Sequence, residues 1–165
     1  MKVVFDTNIF VSAFVIPGSQ AEKAVLRIIG GRDVLLLSKG ILDELLTVLS
    51  TKFSRDKEEI SRVAVILSEI AEWVVPSEKI KALNDDPGRQ VPRKPQLFRR
   101  GGGAQYEKIT FPGSRRPAGG ELHNRILECA VSGSADVIVT GDKELLRLRG
   151  YAKTKIISLK EYLGE

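Results

Sequence analysis

Three acidic residues stand at positions where a folded chain could bring their carboxylates together. Asp6 ends a short apolar run at the start of the chain. Asp142 follows the apolar run Val137–Val139, and Glu44 lies early in a helix predicted over Lys39–Leu49. Carboxylates that meet at one place repel each other, and a cation among them relieves this repulsion. Oxygen ligands suit Mg²⁺ or Mn²⁺ better than Zn²⁺, and such an ion can activate water and neutralise a phosphate.

Each of these acids also has a purely structural interpretation. Asp6 and Asp142 could serve only as N-caps of the helices that follow them. Glu44 could be a solvated residue on a helix surface, as most glutamates are. Their spacing alone therefore does not decide between a metal site and three ordinary acids.

The elements that would position these acids follow from apolar periodicity and capping residues. Strands are predicted at Lys2–Asp6, Val34–Leu37, Trp73–Val75, Val137–Val139 and Lys155–Ile157. Helices are predicted at 19–29, Lys39–Leu49, Asp56–Ala71, Leu122–Val131, Asp142–Leu148 and Leu159–Leu163. This alternation predicts an α/β fold with a parallel sheet between helices. Ligands of such folds bind beyond the carboxyl ends of the strands, where Asp6 and Asp142 are expected.

Length and composition predict one ordinary globular domain of 165 residues with enough apolar residues for a core. The single cysteine, Cys129, excludes an internal disulfide and a cysteine-based zinc site. No apolar run approaches the roughly 20 residues of a membrane span. An acid as early as Asp6 disfavours a signal peptide, so we expect a cytoplasmic protein without membrane contact.

The net charge of +5 is concentrated in one segment, residues 88–120. Eight basic residues and one acid give this segment a charge of +7, which leaves −2 for the remainder. It also holds 7 of the 15 glycines and 4 of the 7 prolines. Two interpretations stay open: Arg99, Arg100, Arg115 and Arg116 could bind RNA phosphates, or the segment could be a solvated loop.

Four short motifs, in this order, resemble those of the PIN-domain family. They are the opening 3–13 with Asp6-Thr7-Asn8, the segment 41–45 around Glu44, the helix 124–130, and the segment 135–142 that ends at Asp142. The resemblance covers residues 1–87 and 121–165, so residues 88–120 look like an insertion into a single PIN-like domain. It implies metal-ligand roles for Asp6, Glu44 and Asp142. It also implies that Thr7, Asn8 and Thr140 orient substrate or water.

The resemblance implies a divalent-metal-dependent endoribonuclease that uses Mg²⁺ or Mn²⁺. Similarity to VapC-like members further suggests the toxin of a toxin–antitoxin pair, with RNA as substrate, an antitoxin protein as partner and a homodimer as assembly. A catalytically impaired or purely RNA-binding PIN protein is the main alternative. A metal-dependent phosphatase or phospho-acceptor domain also places an aspartate after its first strand, but it would need a second one at position 8, where this chain has Asn8.

The chain departs from the family pattern at the third acid, where it has His123. Three interpretations follow. His123 could replace the acid as a ligand, which Mn²⁺ accepts more readily than Mg²⁺. Glu121 or Asp86 could reach the site instead. The site could also be impaired, which would favour the non-catalytic alternative.

Overall fold

The computed structural model describes residues 1–77, 79–80 and 119–165, with side chains from residue 122 onward in the last range. Its strands are β1 Lys2–Phe5, β2 Val34–Ser38, β3 Ala71–Val74, β4 Val137–Val139, β5 Gly150–Tyr151 and β6 Thr154–Ile157. Its helices are α1 Thr7–Val15, α2 Gln20–Ile29, α3 Lys39–Lys52, α4 Lys57–Ile70, α5 Gly119–Ser132, α6 Lys143–Leu148 and α7 Leu159–Leu163.

The strands form one sheet in the order β3-β2-β1-β4-β6-β5. All neighbouring pairs are parallel except β5 with β6. The chain first builds outward from β1 through β2 to β3, and then returns to place β4 on the other side of β1. This reversal between β1 and β4 is the topological switch point where α/β sheets form their ligand-binding crevice.

The central strands are apolar along their length because helices cover the sheet. Val3, Val4 and Phe5 of β1 are fully buried, as are Ile138 and Val139 of β4. Helix α5 contacts β1, β2 and β4, and α3 packs against β2. The α/β class and the predominantly parallel sheet are therefore confirmed, with helices flanking the strands.

Several boundaries differ from the sequence prediction. Ala71 begins strand β3 instead of ending helix α4, so this strand starts two residues earlier than Trp73. The short strand β5 was not predicted, because two residues carry no readable period. Helix α5 begins at Gly119, inside the segment assigned to the insertion. The rest of that segment, residues 88–118, lies outside the described residues.

No single helix in the described part of the chain is long and apolar enough to cross a membrane. Helices α1 and α2 meet the length and composition criteria only as a pair bent by 100°. Their apolar faces, which include Phe10, Ala24 and Val25, belong to the buried core.

Candidate metal centre

Asp6 lies at the switch point because β1 ends at Phe5, directly before it. The Phe5 register partner on β4 is Val139, and the Asp6 backbone N–H donates to the Val139 carbonyl at 3.0 Å. The side chain of Asp6 is buried with 5% of the residue exposed. A carboxylate is thus held at the carboxyl edge of the sheet, between the two parallel strands where the strand order reverses.

A short series of hydrogen bonds connects Asp6 to Asp142. The buried Thr140 hydroxyl donates to Asp6 Oδ2 at 2.6 Å, and the Thr140 hydroxyl oxygen accepts from the Asp142 backbone N–H at 2.9 Å. Thr140 is fully buried, so it has little freedom to leave this position. The predicted orienting residue Thr140 therefore fixes Asp6 and the start of α6 relative to each other.

Asp142 uses its two carboxylate oxygens differently. Oδ1 caps helix α6 by accepting from the backbone N–H groups of Glu144 at 2.7 Å and Leu145 at 3.2 Å. Oδ2 faces the His123 ring, whose Nε2 lies 3.4 Å away. Asp6 is likewise an N-cap, since its Oδ1 accepts from the Asn8 N–H at 3.3 Å. Capping and ligand roles are compatible here because each carboxylate oxygen has two lone pairs and can accept from more than one partner.

Glu44 reaches the same region from helix α3, which begins after Ser38 at the end of β2. Its side chain is half-buried, in contrast to the exposed neighbour Asp43. Thr7 Oγ1 is buried and has no hydrogen bond of normal geometry to the described residues, yet it lies near enough to lower the pKa of Glu44. The Thr7 and Glu44 side chains are therefore close neighbours without a full hydrogen bond between them.

The electrostatics of the site are those of crowded acids. Burial raises the pKa of Asp6, and the charge of Asp142 raises it further, against the hydrogen bonds from Thr140 and Asn8 and the charge of His123. Burial also raises the pKa of Glu44, followed by repulsion from Asp6. Both acids therefore favour a proton or a cation over the free charged form.

Positive groups offset part of this charge, and Arg125 has the largest such effect on Glu44. The guanidinium of Arg125 on α5 lowers the pKa of Glu44. Helix α5 contacts α3, which places Arg125 near Glu44. Arg125 lies in the third sequence motif, but no role was predicted for it, because its proximity to Glu44 depends on helix packing that no local pattern reveals.

A second grouping of possible ligands shares Asp142 with the first. One ligand atom from each of His123, Asp142 and Glu144 falls within 4.8 Å of the others. Among the described residues, it is the one group of three His, Cys, Asp or Glu side chains that meets this distance. Glu144 was not predicted as a site residue, although its place two residues after Asp142 is a signal that could have found it.

The predicted residues thus fall into three sets. Asp6 interacts electrostatically with both Glu44 and Asp142, and Thr140 bridges Asp6 to Asp142. Asn8 is exposed beside Asp6, and Thr7 is buried. The side chain of Glu121 is outside the described residues, as are Asp86 and the four arginines Arg99, Arg100, Arg115 and Arg116.

The donor set fits a divalent cation. Buried acids repel one another, and His123 Nδ1 is a buried nitrogen with no hydrogen-bond partner among the described residues. Unpaired buried polar atoms are rare in folded proteins and need a reason. A cation bound here would relieve the repulsion among the acids.

Comparison with known families decides the fold's identity. The family model described as a PIN domain matches residues 2–91, which is 90 of the 165 residues. The chain belongs to the PIN-domain family. The matched range includes Asp6 and Glu44 and ends before His123 and Asp142. Members of this family generally use divalent metal ions, which agrees with the charge of the site.

A solved structure shares this fold across nearly its whole length. It is VapBC2 from Rickettsia felis bound to a DNA fragment from their promoter, with a TM-score of 0.55 and 18% identity. The alignment covers 96% of this chain and 98% of that one. At this identity the likeness extends to the fold alone. No protein among the curated sequences matches the chain.

Proposed function

We propose that this PIN-domain protein is a divalent-metal-dependent endoribonuclease. The observation that carries the proposal is the position of Asp6, a buried carboxylate at the switch point of the sheet that is repelled by both Glu44 and Asp142. Ionisable groups with perturbed pKa values in a crevice are characteristic of functional sites. The family supplies the general metal dependence, and RNA hydrolysis and the ion's identity are the finer parts of the proposal.

Asp6, Glu44 and Asp142 would hold the ion, which when bound activates water and neutralises charge on a phosphodiester. The chain's own groups position the reaction. The Thr140 hydroxyl fixes Asp6 Oδ2, so that carboxylate meets the substrate with little reorganisation. Exposed Asn8 stands beside it with an amide suited to orienting a phosphate oxygen or water.

Cleavage of a mixed pool of labelled RNA, with Mg²⁺ and with Mn²⁺, tests this function. We expect Asp6→Asn to lower the cleavage rate at least about a hundredfold, since it removes a charged group that acts at the reacting centre. Asn keeps the cap of α1 because its amide oxygen can still accept the Asn8 N–H. The proposal is wrong if Asp6→Asn cleaves as fast as the wild type.

A matched control is available on the same helix as Glu44. Asp43 is an exposed acid that pairs with Lys39 one turn earlier, so Asp43→Asn removes a charge outside the site. Its cleavage rate should equal that of the wild type. An equal loss in Asp43→Asn and Asp6→Asn would attribute the effect to net charge instead of the site.

The basic segment at residues 88–120 is proposed to be an insertion in the single domain that binds the RNA backbone. Its charge of +7 against −2 for the remaining chain supports this role. Replacing Arg99, Arg100, Arg115 and Arg116 by alanine should weaken RNA binding at low salt. The slope of log affinity against log salt should fall by about one for each arginine that no longer neutralises a phosphate. An unchanged slope would exclude these arginines from the interface.

An antitoxin protein and a homodimer complete the proposal. The fold similarity to a VapBC assembly supports a partner protein. An open hollow of about 160 Å³ between α1, α3 and α4, with Phe14, Leu49, Ile60 and Val63 in its wall, is suited to an apolar side chain. Light scattering on the isolated chain tests the dimer. Copurification with the product of an adjacent gene tests the antitoxin.

A non-catalytic RNA-binding protein is the second candidate, because His123 stands where the family has an acid. The two candidates differ in metal binding. A catalytic site should bind Mn²⁺ in a calorimetric titration with an affinity that Asp6→Asn weakens. An RNA-binding relic should bind RNA without any such metal dependence.

A further inference from the structure

His123, Asp142 and Glu144 meet where helix α5 passes the start of helix α6. His123 lies on α5, three and four residues before the buried Ile126 and Leu127, so its ring faces inward. Asp142 is the N-cap of α6, and Glu144 is in its first turn. Three residues from two separate elements are therefore directed at one place.

One ligand atom from each residue lies within 4.8 Å of the other two, which is a little wider than the spacing of ligands around a bound ion. His123 Nε2 is 3.4 Å from Asp142 Oδ2, and His123 Nδ1 is 3.8 Å from Glu144 Oε2. Good N–H···O hydrogen bonds are shorter, at about 2.7–3.2 Å. Ligands bound at about 2.0–2.1 Å from a divalent ion stand roughly 3.0–3.4 Å apart, depending on geometry. Small rotamer changes of the exposed Glu144 would bring the set to that spacing.

The histidine supplies an independent sign of a missing partner. Its side chain is only 11% exposed, and Nδ1 is buried without a hydrogen bond to any of the described residues. Glu144 Oε2 lies 3.8 Å from Nδ1, too far for a hydrogen bond, and the 3.4 Å contact of Asp142 is with the other ring nitrogen, Nε2. A buried imidazole nitrogen with carboxylates nearby is the arrangement that a metal ligand needs, whereas a histidine that only packs in a core does not need two carboxylates beside it.

We propose that His123, Asp142 and Glu144 form a mixed nitrogen and oxygen site that selects a first-row transition metal ion over Mg²⁺. The inference rests on the proposed metal centre, since Asp142 belongs to both. Imidazole suits transition metals, whereas Mg²⁺ prefers oxygen and keeps much of its water. The presence of His123 at the position of the family's third acid then changes which metal is bound. Glu144 supplies the negative charge that this acid would have carried.

Titration calorimetry of the whole chain with Co²⁺, Mn²⁺ and Mg²⁺ tests this selection. We expect Co²⁺ to bind more tightly than Mn²⁺, following the general order of transition-metal affinities, and Mg²⁺ to bind most weakly. Glu144→Gln and His123→Asn should each weaken Co²⁺ binding at least about tenfold, which corresponds to about 1.4 kcal/mol. The visible absorption bands of bound Co²⁺ should shift in His123→Asn, because a nitrogen ligand is lost.

The variants are chosen so that folding does not confuse the result. Glu144 is exposed, so Glu144→Gln leaves the core intact even if His123→Asn disturbs α5. Glu69→Gln on α4 removes the same charge from another exposed glutamate and should bind Co²⁺ like the wild type. Equal Co²⁺ affinity in Glu144→Gln and wild type would overturn the inference, as would Mg²⁺ binding as tightly as Co²⁺.

The inference and the proposed function can fail separately. If Asp6→Asn abolishes RNA cleavage while Glu144→Gln binds metal normally, the ion is held by Asp6, Glu44 and Asp142 without His123. That outcome sinks the transition-metal site and leaves the ribonuclease. If Co²⁺ binding depends on His123 and Glu144 while Asp6→Asn cleaves RNA normally, the metal site stands and the ribonuclease centre does not.

Discussion

Asp6 and Asp33 are both buried aspartates, with 5% and 7% of the residue exposed, yet their surroundings are opposite. Burial raises the pKa of Asp6 and a neighbouring acid raises it further, so its charge is opposed. Burial also raises the pKa of Asp33, but its hydrogen bonds and positive neighbours outweigh this and leave that pKa lowered. The charged form of an aspartate is thus stabilised at Asp33 and destabilised at Asp6.

The carboxylate of Asp33 has contacts that compensate for the burial of its charge. Its carboxylate accepts from the Tyr162 hydroxyl at 2.8 Å, from Arg27 Nε at 2.8 Å and from the N-terminal ammonium of Met1 at 3.0 Å. Arg27 also lies 4.9 Å over the Tyr162 ring and donates to the Tyr162 carbonyl at 3.1 Å. Each buried oxygen of Asp33 therefore has a charged or hydroxyl partner.

This difference distinguishes a structural acid from a candidate functional one. Folding alone favours paired buried charges, because an isolated one is costly. Asp33 obeys that rule, and it ties the N-terminus, α2 and α7 together. Asp6 departs from it, and such local conflicts are expected where a protein binds something. The contrast marks the Asp6 region as a candidate site without any reference to the family.

The largest expected effect is the loss of stability in Asp33→Asn. We expect the free energy of unfolding to fall by about 3 kcal/mol, since a buried charge network loses its central member. Arg27 and the N-terminal ammonium would keep their charges without their partner. Urea denaturation at neutral pH measures this loss.

The Tyr162→Phe variant serves as the graded control for that result. It removes one hydroxyl from the same carboxylate and should cost about 1 kcal/mol. If Asp33→Asn costs no more than Tyr162→Phe, the ionic contacts add nothing. The comparison between the two aspartates would then lose its basis.

A smaller effect of opposite sign is expected in Asp6→Asn. In buffer with a chelator, this variant should be more stable than the wild type by about 1–2 kcal/mol, the usual gain when a strained functional residue is replaced. Thermal and urea denaturation measure the gain. With Mn²⁺ at 100 times its Kd the wild type should gain about 2.7 kcal/mol, which reverses the order.

Asp43→Asn is the matched control, because it removes an exposed carboxylate close to Glu44 in sequence. It should change stability by less than about 0.5 kcal/mol with or without metal. Equal stability of Asp6→Asn and wild type under both conditions would mean that the acids do not repel one another. In that case Asp6 would be a capping residue only.

The sequence predicted those parts of the molecule that depend on local pattern. The apolar runs before Asp6 and Asp142 located the two central strands, and the capping residues located most helix starts. The order of elements then placed these acids at one edge of the sheet. What local pattern could not show is which side chains meet across elements: Glu144 approaches His123 only because α5 and α6 are neighbours in space.

Asp33 shows the same limit from the structural side. No periodicity marks it, and its partners Met1, Arg27 and Tyr162 are spread from one end of the chain to the other. A short strand such as β5 was missed for a related reason, because its partner β6 creates it. Contacts between residues that are far apart in the sequence set both the stability and the ligand geometry, and they depend on how the elements pack.

The last and smallest expected effect is a difference in pH dependence between the two aspartates, measured without metal. The ordinary pKa of both is 3.8. The folded pKa of Asp6 lies above this value, so the folded state holds its proton longer than the unfolded state. Stability is therefore lost as pH rises from about 3.8 through the raised pKa. The folded pKa of Asp33 lies below 3.8, so its stabilisation is complete above that pH and is lost as pH falls through the lowered pKa.

The two variants should consequently differ from the wild type in windows that meet at pH 3.8. The gain in stability of Asp6→Asn should be absent below that pH and grow above it. Asp6 repels Glu44, so the variant also lowers the pKa of Glu44, and this adds to the gain. The deficit of Asp33→Asn should be full above pH 3.8 and shrink below it. Urea denaturation at half-unit pH steps in chelating buffer gives both curves.

A deficit of Asp33→Asn that persists unchanged at the acid end would show that its contacts are not ionic. A gain in stability of Asp6→Asn that does not vary with pH would mean that Asp6 is uncharged throughout. The difference between the two buried acids would then come from packing and not from charge.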